Sequence, residues 1–148
     1  MSVQIINGDT IKLLRECSAG IKMGITSIND VIDDIKNNDF KNTLIRCLNK
    51  HEELERETEE ILNEYHDEGK EPDPIAKGMS WIKTNFKLAL DNSDSVAADL
   101  ITDGCNMGTK SLRRYINEYP EAEEKAKDIA YRIITVEEDT IDGVKKFL

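Results

Sequence analysis

The chain reads as an all-α domain, and three observations predict it. Apolar residues recur at three- and four-residue spacing through four long stretches; clusters of Asn, Asp, Gly and Pro fall between those stretches; and no alternating strand pattern, repeat or low-complexity tract interrupts them. At 148 residues the chain is the size of one domain and long enough to bury a single core. Residues 1–8 read as an N-terminal tail and 9–148 as one helical-bundle domain.

The first helix is predicted from an Asp9 N-cap to about Lys36. Its stripe is Ile11, Leu14, Cys17, Ser18, Ile21, Gly24, Ile25, Ile28, Ile32 and Ile35. After the break Asn37-Asn38-Asp39, the second helix runs to about His66. It faces inward with Phe40, Leu44, Cys47, Leu48, Leu54 and Leu62, but His51, Glu55 and Thr58 lie on that same face. Residues 67–73 (DEGKEPD) break the pattern, and Asp73-Pro74 opens a short helix whose apolar face includes Ile75, Met79, Ile82 and Phe86. Trp81 and Leu88 leave that face for one edge. Ser93 or Asp94 caps the third long helix, which carries Ala97, Gly104 and Gly108 at the centre of its stripe and ends at Tyr119-Pro120. Two glycines on a buried helical face predict either a close neighbour or room for something else. The fourth helix follows with Ala126, Ile129, Ala130, Ile133, Val136, Ile141 and Val144 on its stripe, interrupted by Glu137 and Thr140.

Breaks of a few residues make the first and second helices antiparallel, and likewise the third and fourth. The connection between the second and third is long enough to run the length of a bundle, which sets the third helix parallel to the second.

Asp and Glu outnumber Lys and Arg by 30 to 20, a formal charge of -10 that works against binding nucleic acid or anionic membranes. No signal-peptide pattern or membrane-length apolar run is present, so the expected location is cytoplasmic. Cys17, Cys47 and Cys105 form no CxxC pair and leave an odd number, as expected of reduced thiols.

The run from Gly78 to Tyr119, GMSWIKTNFKLALDNSDSVAADLITDGCNMGTKSLRRYINEY, resembles the middle of a bacterial ferritin-like family of unknown function. Shared features are a Gly/Pro-containing loop, a crossover helix with a Trp, and a long helix with an acidic-Gly segment and a Tyr near its end. The resemblance implies a ferritin-like four-helix bundle with an extra short helix in the crossover between helices 2 and 3. It also implies a twofold homodimer, with Trp81 and Leu88 as the surface available for it. Metal-binding members of this architecture use Glu-x-x-His pairs, and this chain has none: Leu48 stands three before His51, Asn63 stands three before His66, and the fourth helix has no histidine.

At about 1.5 Å rise per residue, His51, Glu137, Cys105 and Asp103 fall at one level of the bundle, with Glu55 one turn from His51. These five residues are the candidate site. Three readings are open: a satisfied polar network in the core, a degenerate metal site, or exposure to solvent. No cofactor is expected, and one divalent metal ion is the most such a core could hold, because a dinuclear centre needs about four carboxylates and usually two histidines. Cys47 and His51, four apart, can touch, but neither an oxyanion hole nor a phosphate-binding glycine loop is legible. Two function classes follow: a non-enzymatic bundle acting through protein contacts, or a metal-binding or metal-dependent redox protein with an altered ferritin-like site.

Overall fold

The computed structural model describes residues 8–67, 81–89 and 93–148. Over these it is all-helical: α1 (Gly8–Val31), α2 (Asn38–Glu64), α3 (Trp81–Leu88), α4 (Asp94–Glu118) and α5 (Glu124–Val144), with single 3-10 turns at Ile32–Asp34 and Lys145–Phe147. Among the described residues there is no strand, and no helix is long and apolar enough to cross a membrane.

Helix ends follow local chemistry. Asn37 caps α2 by accepting from the Phe40 N–H at 3.1 Å, and Ser93 caps α4 by accepting from the Val96 N–H at 3.3 Å, each satisfying a first-turn donor that has no helical partner. α1 stops at Val31 rather than near Lys36. Ile35 turns to an extended conformation, and the Asp94 carboxylate accepts from the Lys36 and Asn37 N–H groups at 2.9 and 2.8 Å, so tertiary bonding to the start of α4 replaces another turn of helix. Asp9 lies inside α1 instead of ahead of it. Its carboxylate accepts from the Glu121 N–H at 3.0 Å while Thr10 Oγ1 accepts from the Glu123 N–H at 2.8 Å, and these bonds hold the α4–α5 turn against the start of α1. α5 accordingly begins at Glu124, a few residues later than the sequence pattern indicates. The expected start of the crossover helix at Asp73-Pro74, with Ile75 and Met79, lies outside the described residues.

The same bonds fix the topology. Asp94 ties the start of α4 to the start of α2, and Asp9 and Thr10 tie the end of α4 to the start of α1. α4 is therefore parallel to α2 and antiparallel to α1. α5 runs antiparallel to α2, because Cys47 meets Thr140, Glu57 meets Arg132 and Glu64 meets Lys125 in descending order. The chain from α2 to α4 must consequently traverse the length of the bundle. Its described helix, α3, rests on both α1 and α4 with Ile82 and Phe86 buried, as its apolar face predicts. Around the bundle the order is α1, α2, α5, α4, and the core runs continuously along the axis through residues such as Leu13, Cys17, Ile21, Phe40, Leu44, Leu54, Ala130 and Ile133. Phe40 and Phe147 stack with centroids 4.7 Å apart, sealing the end where α2 starts and α5 finishes.

Candidate functional site

The buried positions of α2 are Phe40, Leu44, Cys47, His51, Leu54, Thr58 and Leu62, spaced four and three apart. This is the heptad-like seam that keeps one line of residues facing a partner helix. His51 occupies that seam and is only 2 % exposed. On α5 the corresponding line carries Ile133, Glu137, Thr140 and Val144, all buried. The two seams meet at His51 and Glu137, where Nε2 and Oε1 are 2.9 Å apart.

The other ring nitrogen settles the protonation. His51 Nδ1 lies 2.9 Å from the Cys47 carbonyl oxygen, and a carbonyl can only accept, so Nδ1 carries a proton. Nε2 and Oε1 then share one more, and the pair is either imidazolium and carboxylate or imidazole and carboxylic acid, neutral overall in both forms. Burial opposes charge on the ring, but the hydrogen bonds to Cys47 and Glu137 outweigh it and raise the pKa of His51 from 6.5 to about 10. Around the pair, Cys47 Sγ is 3.5 Å from Nδ1, and Thr140 Oγ1 is 3.0 Å from Cys47 Sγ and 2.7 Å from the Val136 carbonyl oxygen. Thr58 turns its hydroxyl to the Leu54 carbonyl at 2.7 Å. The Cys105 thiol is pushed up by burial and by the neighbouring Glu137 carboxylate, and Cys17 is pushed up to about 12 mainly by burial. All three cysteines are free and buried.

This polar group forms the floor of a cavity of about 510 Å³ that follows the seam between α1 and α4. The walls are mostly small. α1 contributes Ala19, Gly20, Gly24 and Ser27, α4 contributes Gly104, Gly108 and Ser111, and Ile82 of α3 closes over them. Along the helices the lining runs from Glu16 to Ile28 and from Ile101 to Tyr115, a slot about 20 Å long at 1.5 Å per residue. Met23 stands at the rim, half exposed.

Gly24 lets the ring fit. A Cβ at that position would lie 2.6 Å from His51 Nε2 and 2.7 Å from Cδ2, closer than real atoms approach. Gly104 and Gly108 are different, since a Cβ there would stand 3.4 Å from Ile82 Cδ1 and 3.5 Å from Glu137 Oε2, near ordinary contact. Of the two meanings available to the central glycines of α4, room rather than a close helix is the one realised.

The structure thus gathers His51, Glu137 and Cys105 around one cavity and leaves two of the five candidates outside it. Asp103 is exposed, because it sits 160° around α4 from Cys105 at 100° per residue, and does not line the cavity. Glu55 is half-buried and also absent from the lining, because the seam passes through Leu54 and Thr58 on either side of it. Among the described residues, no three His, Cys, Asp or Glu side chains are grouped so as to hold a metal ion. Sequence reasoning left room beside Gly104 and Gly108 as one of two meanings but did not see that α1 forms the other wall of the cavity. Its signal was the pairing of Gly20 with Gly24 and of Gly104 with Gly108, one turn apart on two helices that face each other.

Compared with family models, curated proteins and solved structures, the chain matches none.

Proposed function

We propose that this chain is a non-enzymatic, ferritin-like helical bundle that acts as a binding module for a small, mainly apolar molecule held in the α1–α4 slot. The observation that carries the reading is the slot itself: about 510 Å³ of space with small apolar walls and a few convergent polar groups on its floor. Bundles normally fill such volume with side chains at native density, so a slot this large lined by four glycines is space kept open. The ferritin-like assignment rests on the parallel α2 and α4 with a lengthwise crossover between them.

Binding rather than catalysis is favoured by the engagement of both ring nitrogens. With Nδ1 on the Cys47 carbonyl and Nε2 on Glu137, His51 has no lone pair to offer a substrate, and burial pushes the Cys105 thiol away from the reactive thiolate. A cytoplasmic setting agrees with three free, buried thiols. A second reading concerns the outer face of α3, where Trp81 and Leu88 are 42 % and 75 % exposed; this is the surface on which a homodimer or another protein contact would form.

The test is a neutral fluorescent apolar probe, N-phenyl-1-naphthylamine, titrated into the wild-type chain and into Gly20→Leu. Position 20 has open space at its Cβ and lines the slot, so leucine there fills the cavity without a clash. Saturable binding by the wild type that is lost in Gly20→Leu is expected. Equal binding by both places the probe elsewhere, on a face such as that of α3, and overturns the reading.

A further inference from the structure

We infer that the occupant of the slot is a single unbranched hydrocarbon chain, held end-on with its tail against Ile82 and its head at a mouth between Gly20 and Ser111. The inference rests on the binding-module reading and adds the class and orientation of the ligand.

The polar floor selects no head group. His51 bonds the Cys47 carbonyl and Glu137 through its two ring nitrogens, each at 2.9 Å, and the Cys105 thiol engages Glu137 as well. Thr140 Oγ1 donates within the same group, at 3.0 Å from Cys47 Sγ and 2.7 Å from the Val136 carbonyl oxygen. These groups satisfy one another, so the walls choose the occupant by shape and apolar contact.

The shape is narrow and one-ended. A volume of about 510 Å³ spread over about 20 Å leaves a section of about 25 Å², room for one file of carbons keeping about 4 Å from their neighbours but not for two. At one end the lining is Ile28, Ile82 and Ile101, all buried, and Ile82 Cδ1 stands 3.4 Å from the Cβ position of Gly104. That end is blind. Toward the other end the lining residues Gly20 and Ser111 are exposed. Counted from Gly24 and Gly108, which both abut the His51–Glu137 pair, they stand at nearly one level on antiparallel helices, and the mouth lies between them. From Gly20 to Ile28 on α1, and from Ser111 to Ile101 on α4, is about 12–15 Å at 1.5 Å per residue. An extended chain advances about 1.2 Å per bond, so about ten to twelve carbons reach from the mouth to Ile82.

The experiment measures displacement of N-phenyl-1-naphthylamine by neutral n-alcohols of six, eight, ten, twelve and fourteen carbons. In the wild type each added pair of methylenes is expected to tighten binding roughly tenfold up to about ten to twelve carbons; further length then adds less than about twofold because it lies outside the slot. Gly104→Leu and, from the opposite wall, Ser27→Leu fill the blind end. In each, hexanol is expected to bind as before while the gain with length stops at about eight carbons. n-Octyl glucoside, below its micellar concentration, is expected to compete within about threefold of n-octanol, since its sugar stays at the mouth. Affinity that climbs through fourteen carbons without a break, a break at the wild-type length in both variants, or a loss of more than about tenfold on adding the sugar would each overturn the inference and leave the binding module standing. Failure of the probe and every alcohol to bind would remove the binding module and this inference together.

Discussion

The two long seams on either side of the bundle are made of opposite materials. Between α2 and α5 the chain supplies large or bonded side chains at every level: Cys47 against Thr140, His51 against Glu137, Glu57 against Arg132, and Glu64 against Lys125. Between α1 and α4 it supplies Gly20, Gly24, Gly104, Gly108, Ser27 and Ser111, and that seam stays open around a cavity. Helix-axis spacing is set by the side chains at the contact, so one bundle can be solid on one side and hollow on the other without any change of topology. The pair His51–Glu137 belongs to both regions, closing the first seam and flooring the second.

The largest effect should come from breaking that pair. Glu137→Ala removes a buried partner and takes away the hydrogen bond of His51 Nε2, which should cost about 3 kcal/mol of stability. Glu137→Gln keeps the shape, and its amide can donate to a neutral Nε2, so the change should stay within about 1 kcal/mol of wild type. Urea denaturation of both variants checks this. If Ala and Gln are equally damaging, charge rather than hydrogen-bond satisfaction is what the closed seam needs.

Next in size is Gly24→Ala, which tests the point where the open seam touches the closed one. The new Cβ would meet the His51 ring at 2.6 Å, and the ring is tied at both nitrogens, so either α1 moves or a buried hydrogen bond is lost. A cost of about 2 kcal/mol is expected despite the better helix propensity of alanine. A Tm at or above wild type would mean that the ring has another place to go.

Per pH unit, a smaller effect is readable in the pH dependence of stability. Folded His51 keeps its second proton up to about pH 10, whereas an unfolded histidine releases it near 6.5. A raised folded value means the folded state binds more protons in between, so this contribution is whole below 6.5 and is lost as pH rises toward 10. Between pH 7 and 9 stability should fall by up to about 1.4 kcal/mol per pH unit. In Glu137→Gln, where a neutral imidazole suffices, the slope should flatten. A wild type with no slope over this range would place the shared proton elsewhere.

Much of the fold was legible because it is written in spacing. Phe40, Leu44 and Leu54 declare the inward face of α2, and the segment between α2 and α4 is long enough to cross the bundle. The level at which His51 meets Glu137 could be counted from helical rise alone. What spacing does not carry is rotation at the scale of one residue. Glu55 is displaced only 40° from His51 at 100° per residue, yet the seam runs through Leu54, and a shift that small decides between lining and half-exposed flank. Asp103 is only two residues from Cys105 in sequence but 160° from it around α4, so a count of levels alone did not separate them. The helix ends at Val31 and Glu124 were hidden for another reason: the carboxylates of Asp94 and Asp9 end or delay those helices from more than 50 residues away.

The smallest effect has the opposite sign and isolates the glycines themselves. Gly20 and Gly24 are one turn apart on α1 and both line the cavity, but only Gly24 touches the pair; at Gly20 nothing lies within 4 Å of the Cβ position. Gly20→Ala therefore keeps every contact and lowers the backbone entropy of the unfolded chain, which should stabilise the protein by about 0.5–1 kcal/mol. A methyl group occupies little of the slot, so probe binding should remain, in contrast to its loss in Gly20→Leu. A stabilised Gly20→Ala beside a destabilised Gly24→Ala would separate the two roles on one helix: Gly24 is required by a neighbouring ring, and Gly20 is held against its own helix propensity by the space it leaves. If Gly20→Ala proved destabilising instead, α1 and α4 would have to lie closer together at that level, and the seam would be filled rather than hollow.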